Sequence, residues 1–236
     1  MLKTIFNAAK ETLVHFPNNS HAEQDLLYYM AIIMILCGAM SAVALIFIPS
    51  PYGRYSSSVW GPGLNPKMAW FIQELPCLFT PVVMTLYDSV SSNVNNMLLG
   101  LFIIHYFHRT LIFPFIMRGG KPTPTFPFLL ALFFCSYNGF MQSRTLTQYA
   151  VYGRNWTSNP AFIIGGMFQF VSAPNFFGET LEWCGWALAC CTLQAVAFAF
   201  FTACNVGLRA WQHHRFYIEK FDDYPKSRKA FIPFVF

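Results

Sequence analysis

The stretch at residues 68–87 reads MAWFIQELPCLFTPVVMTLY, and Glu74 is its one charged residue. The stretch is long enough to cross a bilayer, since the hydrocarbon core needs about 20 helical residues. A carboxylate at bilayer depth costs roughly 2.5–3.5 kcal/mol on insertion scales, so chains rarely keep one without a use for it. The stretch therefore predicts a membrane helix that holds a polar site inside the bilayer.

Composition extends this prediction to the whole chain. Of 236 residues, 55% are hydrophobic and only 11% are charged, whereas soluble domains have about 25% charged residues. The last apolar run is long enough for one tilted crossing or for two short ones. We therefore expect an all-α, polytopic transmembrane helix bundle of five to six spans, forming a single domain over residues 1–236. The expected spans lie at residues 26–48, 68–87, 96–117, 126–141 and 181–208.

Basic residues in the loops predict the orientation of the bundle. Loops 49–67 and 118–125 each contain two Lys or Arg residues, whereas the loop at 88–95 contains none. Cytoplasmic loops are enriched in Lys and Arg, so both basic loops and the basic tail at 209–236 are expected in the cytosol. After four spans the chain would be in the lumen, and an odd number of crossings must follow. A single crossing by residues 181–208 satisfies the tail, and a hairpin does not.

A second set of polar residues lies inside the apolar run at 96–117. The spacing puts His105, His108 and Arg109 on one face of a helix, with Tyr106 to the side. We expect Arg109 to pair with a carboxylate, and the Tyr106 hydroxyl to be available to polarise a carbonyl. No third ligand cluster accompanies the two histidines, so we do not expect a metal site. For Glu74, an ordinary helix–helix hydrogen bond is the alternative.

Two further clusters lie near the last apolar run. Glu179 and Glu182 share one helical face at its start, either as part of a site or at an exposed helix N-terminus, where carboxylates are favoured. Residues 209–217 combine basic and aromatic side chains, which suit a phosphorylated nucleotide with an adenine to stack on, or lipid headgroups. We do not expect nucleic acid as a partner, because no basic stripe with stacking residues lies outside the membrane.

The order of these clusters resembles the steroid 5-alpha-reductase family, and most strongly its type 1 isozymes. The similarity covers nearly the whole chain, and many ordered matches make it specific. The matching motifs are Ala69–Pro76, His105–Arg109, Met117–Pro122, Asn138–Gly139, Gln142–Arg144, Asn175–Glu179, Glu182–Gly185, Tyr224–Lys229 and Ile232–Phe234.

The resemblance implies a seven-span reductase of the endoplasmic reticulum membrane, which uses NADPH to reduce the 4-ene double bond of 3-oxo steroids. It gives Glu74 and Tyr106 the catalytic role of binding the steroid 3-oxo group and stabilising the enolate that forms when hydride reaches C5. Steroid substrate and membrane lipid are the partners it implies. A reductase of enoyl thioesters or polyprenols matches less well. The cofactor-binding residues implied by the motifs are Asn175, Glu179, Arg209, His213, Tyr217, Arg118 and Arg228.

The chain departs from this family after Ile164 and Gly165. Roughly thirty residues are absent there, about one crossing and a loop, and in the family that segment supplies Asn, Asp and Arg contacts to NADPH. Losing one crossing should also reverse the orientation of everything that follows, and should displace Glu179 and Tyr217. We therefore expect impaired or absent reductase activity. The alternative is an inactive shortened variant that binds steroid or pairs with the full-length enzyme.

Overall fold

Helices make up most of the described chain. The computed structural model describes residues 20–88, 92–152, 156, 175–221 and 230. Strands β1 (Gly63–Leu64) and β2 (Thr123–Pro124) pair antiparallel and join two loops at one end of the bundle. The predicted all-α membrane bundle is confirmed. Its helices are α1 (Ser20–Phe47), α2 (Pro66–Tyr87), α3 (Asn93–Phe107), α4 (Phe113–Ile116), α5 (Thr125–Arg144), α6 (Asn175–Cys190) and α7 (Leu193–Lys220).

Four helical stretches within the described residues are long and apolar enough to cross a membrane. They are His21–Phe47, Pro66–Tyr87, Asn93–Ile116 and Leu193–Lys220. The first three contain most of the spans expected at 26–48, 68–87 and 96–117. The expected span at 126–141 lies within α5, a 20-residue helix with Arg144 in its last turn that is not one of these four.

The region at 181–208 forms a helical hairpin, so the expectation of a single crossing is wrong. The helix breaks at Cys191, whose φ is 47°, and the Thr192 side chain accepts a hydrogen bond from the Ala195 N–H at the start of α7. The Trp183 and Phe198 ring centroids lie 4.2 Å apart across the hairpin. A left-handed residue followed by a threonine cap ends one helix and begins another, and hydropathy does not detect this.

Helices α1 and α7 run parallel. A Cβ on Gly38 would lie 3.1 Å from the Phe201 Cα, so glycine permits close contact there. Further along both helices, the Asn205 Nδ2 donates to the Ser41 hydroxyl at 3.1 Å, and the Gln212 Nε2 donates to the Leu45 carbonyl at 2.7 Å. The end of α7 therefore lies beside the basic loop at 49–67, the arrangement that the distribution of Lys and Arg favours.

The chain passes from one end of the bundle to the other between Trp156 and α6. The Trp156 Nε1 donates to the Ala189 carbonyl near the end of α6 at 3.0 Å, whereas the start of α6 packs against α7 near His213. The expected reversal of orientation is therefore not seen at the end of α7. The junction proposed after Ile164 and Gly165 lies outside the described residues.

A charged cluster, here called the Arg144 cluster, holds the opposite end of the bundle together. The Arg144 guanidinium donates to both Glu23 carboxylate oxygens at 2.6 and 2.7 Å and to the Asp88 Oδ2 at 2.8 Å. Thr147 donates to Asp88 at 3.2 Å, and the Tyr149 hydroxyl donates to Glu23. Burial, together with this bond to Glu23, raises the pKa of Tyr149 to about 12. The cluster links α1, α2 and α5.

Candidate functional site

Glu74 lies on the buried face of α2 and is 5% exposed. Its Oε1 accepts a hydrogen bond from the Arg109 Nη2 at 3.2 Å, which confirms the prediction that Arg109 pairs with a carboxylate. Helix α5 comes close to α2 at this point, because a Cβ on Gly139 would lie 3.0 Å from the Pro76 carbonyl oxygen and 3.1 Å from the Cys77 Cα. The close approach of the helices encloses the carboxylate in the bundle interior.

Tyr106, near the end of α3, is also buried, at 4% exposure. Its ring packs against Phe102 at a centroid distance of 4.7 Å and lies 6.0 Å from the Trp183 ring. The phenol interacts electrostatically with Glu74 and with the thiols of Cys77 and Cys135. The structure thus brings together Glu74 and Tyr106, the two residues predicted as the catalytic pair, from two different helices.

A π-helical turn at His108–Ile112 follows α3 and changes the direction of its side chains. His108 is exposed, whereas Arg109 reaches Glu74 and its guanidinium carbon lies 4.9 Å from the Trp70 ring centroid. The expectation that His105, His108 and Arg109 share one face is therefore wrong for His108, because the π-helical turn interrupts the α-helical spacing. Single π-helical turns occur frequently at functional sites.

Both carboxylates of α6 face α3. The His105 Nδ1 lies 2.6 Å from the Glu182 Oε1, and Glu179 interacts electrostatically with Arg109. The alternative of an exposed helix N-terminus therefore does not describe this pair of residues. Within the described part of the chain, no group of three or more His, Cys, Asp or Glu residues could hold a metal ion.

A basic and aromatic group surrounds Arg209 on α7. Its guanidinium donates to the Tyr52 hydroxyl and lies 4.3 Å from the Tyr52 ring centroid and 5.0 Å from that of Phe176. The Phe176 and His213 rings stack at 5.6 Å, and the Tyr55 ring lies 5.5 Å from that of His213. Sequence analysis missed Tyr52 and Tyr55, although two tyrosines flanking Arg54 in a loop next to a membrane were a usable signal.

The other predicted cofactor residues are distributed around this group. Glu179 lies in the second turn of α6, and Tyr217 follows His213 by one turn of α7. The expected displacement of Glu179 and Tyr217 rested on a single crossing or a relocated tail, and neither is present at the described residues. Asn175 is the first residue of α6, and Arg118 is exposed in the loop between α4 and β2. Arg228 lies outside the described residues.

These features define a multi-pass helical membrane protein with a buried carboxylate–arginine pair beside a tyrosine. A family model described as 3-oxo-5-alpha-steroid 4-dehydrogenase matches residues 161–236. The chain is 42% identical to 3-oxo-5-alpha-steroid 4-dehydrogenase 1 of Bos taurus, covering 91% of this chain and 98% of that protein. It is 38% identical to 3-oxo-5-alpha-steroid 4-dehydrogenase 1 of Homo sapiens, covering 91% and 97%. The chain belongs to the 3-oxo-5-alpha-steroid 4-dehydrogenase family, which consists of oxidoreductases.

The similarity extends to 3-oxo-5-alpha-steroid 4-dehydrogenase 2 of Macaca fascicularis, at 37% identity over 86% of this chain and 96% of the relative. The alignment to the Bos taurus protein extends over 253 positions, more than the 236 residues of this chain. The matched region of that relative therefore contains residues without a counterpart here. This agrees with a shortened chain, while the location of the loss after Gly165 stays a prediction.

Proposed function

We propose that this chain reduces the 4,5 double bond of 3-oxo-4-ene steroids with NADPH in the endoplasmic reticulum membrane. Testosterone, giving dihydrotestosterone, and progesterone, giving its 5-alpha-dihydro form, are the proposed substrates. The observation that carries the proposal is the buried Glu74 carboxylate, bonded to Arg109 and next to Tyr106. Names that describe this activity in relatives of about 40% identity support it.

In this proposal Glu74 and Tyr106 bind the steroid 3-oxo group. Glu74 already accepts a hydrogen bond from Arg109, so the Tyr106 hydroxyl is the member of the pair that donates to the carbonyl oxygen. Negative charge collects on that oxygen as the enolate forms, and a donor already in place stabilises this charge most strongly in the transition state. Glu74 and Arg109 hold the polar side of the pocket in position, and protonation at C4 completes the reduction.

The residues around Arg209 fit a dinucleotide by their chemistry. A guanidinium suits a phosphate group, and the rings of Tyr52, Phe176 and His213 provide flat surfaces for an adenine. NADPH, when bound, supplies the hydride that adds to C5 of the steroid. The residues proposed to hold it are Asn175, Glu179, Arg209, His213, Tyr217, Arg118 and Arg228.

The shortened matched region favours a second candidate, a variant with impaired or absent turnover that still binds steroid or pairs with a full-length enzyme. Each charge-assisted hydrogen bond to the cofactor that the absent segment would make contributes about 1.5–3 kcal/mol. Losing two of them would raise the NADPH concentration needed for turnover by at least about a hundredfold. We therefore propose that this chain turns over more slowly than its full-length relatives.

The experiment is conversion of testosterone to dihydrotestosterone in membranes that express the chain at a verified level, with NADPH added. A full-length type 1 relative and the Glu74→Gln variant are measured in parallel. We expect product at a rate below that of the relative, and we expect Glu74→Gln to abolish it, because an amide cannot form the charged pair with Arg109. Steroid binding without turnover would support the second candidate. A chain that is present but neither binds nor converts steroid would contradict both.

A further inference from the structure

Two polar contacts join the helix that carries Tyr106 to the helix that carries Glu179. His105 on α3 lies 2.6 Å from Glu182 on α6. One turn further along, Arg109 interacts with Glu179. The two contacts are four residues apart on one helix and three on the other, which matches the period of two antiparallel helices.

The His105–Glu182 pair also encloses a layer of aromatic rings. The His105 ring meets Trp183 edge-on at 4.5 Å and Tyr106 at 5.0 Å. Trp183 in turn packs on Phe198 of α7 at 4.2 Å. A short hydrogen bond to a carboxylate, shielded by rings on one side, is stronger than an exposed ion pair. The pair therefore fixes the position of α6 relative to Tyr106.

Arg109 belongs to both halves of the candidate site. It donates to Glu74 at 3.2 Å and is attracted to Glu179. A displacement of α6 away from α3 would change the balance of charge around Arg109 and hence around Glu74. The His105–Glu182 pair lies outside the proposed catalytic and cofactor residues, yet it holds in place the helix on which this balance depends.

We propose that His105 and Glu182 form a positioning pair that couples nucleotide binding at Glu179 to steroid binding at Tyr106. The inference rests on the proposed function of the site. A nucleotide bound against α6 holds that helix in place, and the pair passes the constraint to α3 and Tyr106. Coupling between two binding sites is reciprocal, so each ligand tightens the binding of the other by the same factor.

The test measures the steroid Kd of purified protein with and without NADP⁺, the oxidised form that does not support reduction. We expect NADP⁺ to tighten testosterone binding about tenfold in the unmodified chain, within the usual range for coupled sites. In Glu182→Ala and His105→Ala the factor should fall to near one, while the steroid Kd without nucleotide changes little. Glu219→Ala, which removes an exposed carboxylate paired with Arg215, is the matched control and should keep the full factor.

Glu182→Gln covers the case in which an alanine variant fails to fold. Its amide oxygen still accepts from the imidazole, so the factor should fall between those of the unmodified chain and Glu182→Ala. Equal factors in the unmodified chain and in Glu182→Gln would overturn the inference, as would unchanged factors in the alanine variants. Steroid binding that NADP⁺ does not affect in the unmodified chain overturns the inference alone. A chain that binds no steroid overturns it together with the proposed function.

Discussion

Replacing Tyr106 by phenylalanine is expected to lower kcat for testosterone reduction about 10²–10³-fold, the usual loss for one donor to a developing oxyanion. The change removes only the hydroxyl, and the ring contacts with Phe102 and Trp183 remain. The hydroxyl stabilises the enolate more than the ground-state carbonyl, so KM for steroid should change much less than kcat. Initial rates at saturating NADPH, normalised to the amount of folded protein, measure the effect.

Tyr28→Phe is the matched control, because it makes the same chemical change at an exposed tyrosine of α1. It should leave kcat unchanged. A Tyr106→Phe variant that keeps kcat within about threefold of the unmodified chain would contradict the role of Tyr106 as a donor.

Replacing Arg144 by methionine is expected to lower the free energy of unfolding by about 3–5 kcal/mol, the usual cost of removing one partner from a buried ion pair. Glu23 and Asp88 would both lose their cation, and these two carboxylates are mostly shielded from solvent. Methionine retains much of the arginine stem, so the loss arises from the charges rather than from a cavity. The temperature at which half of the detergent-solubilised protein remains monodisperse reports the change.

Arg215→Met removes an arginine from an exposed pair with Glu219 and should alter stability by less than about 1 kcal/mol. A triple variant that adds Glu23→Gln and Asp88→Asn to Arg144→Met should recover part of the loss, since it removes the uncompensated charges. If Arg144→Met denatured at the same temperature as the unmodified chain, the Arg144 cluster would not stabilise this end of the bundle.

Hydropathy and unpaired charges predicted most of the membrane bundle. Because a charge within a span needs a partner, Glu74 and Arg109 could be expected to have polar partners before any contact was known. The carboxylate that pairs with Arg109 could not be identified in this way, because it depends on how α2 and α3 pack. The π-helical turn that exposes His108 and directs Arg109 inwards has no signature in the apolar spacing.

The hairpin of α6 and α7 was beyond prediction for a different reason. Hydropathy treats residues 181–208 as one apolar run, whereas the break depends on a left-handed Cys191 and a side-chain cap from Thr192. The contact between His105 and Glu182 follows from this hairpin, since α6 must turn back along α7 to present its carboxylates to α3. The expected reversal of orientation failed with the single crossing on which it depended.

The most direct measurement of the central claim follows the hydrogen that reaches the steroid. Testosterone is incubated with the purified chain and NADPH deuterated at both C4 positions of the nicotinamide, and the product is analysed by mass spectrometry. The proposed function predicts 5-alpha-dihydrotestosterone with one deuterium at C5, formed by the unmodified chain and not by Glu74→Gln. Verified, folded protein that binds testosterone but forms no deuterated product would contradict the assignment of this chain as a working reductase.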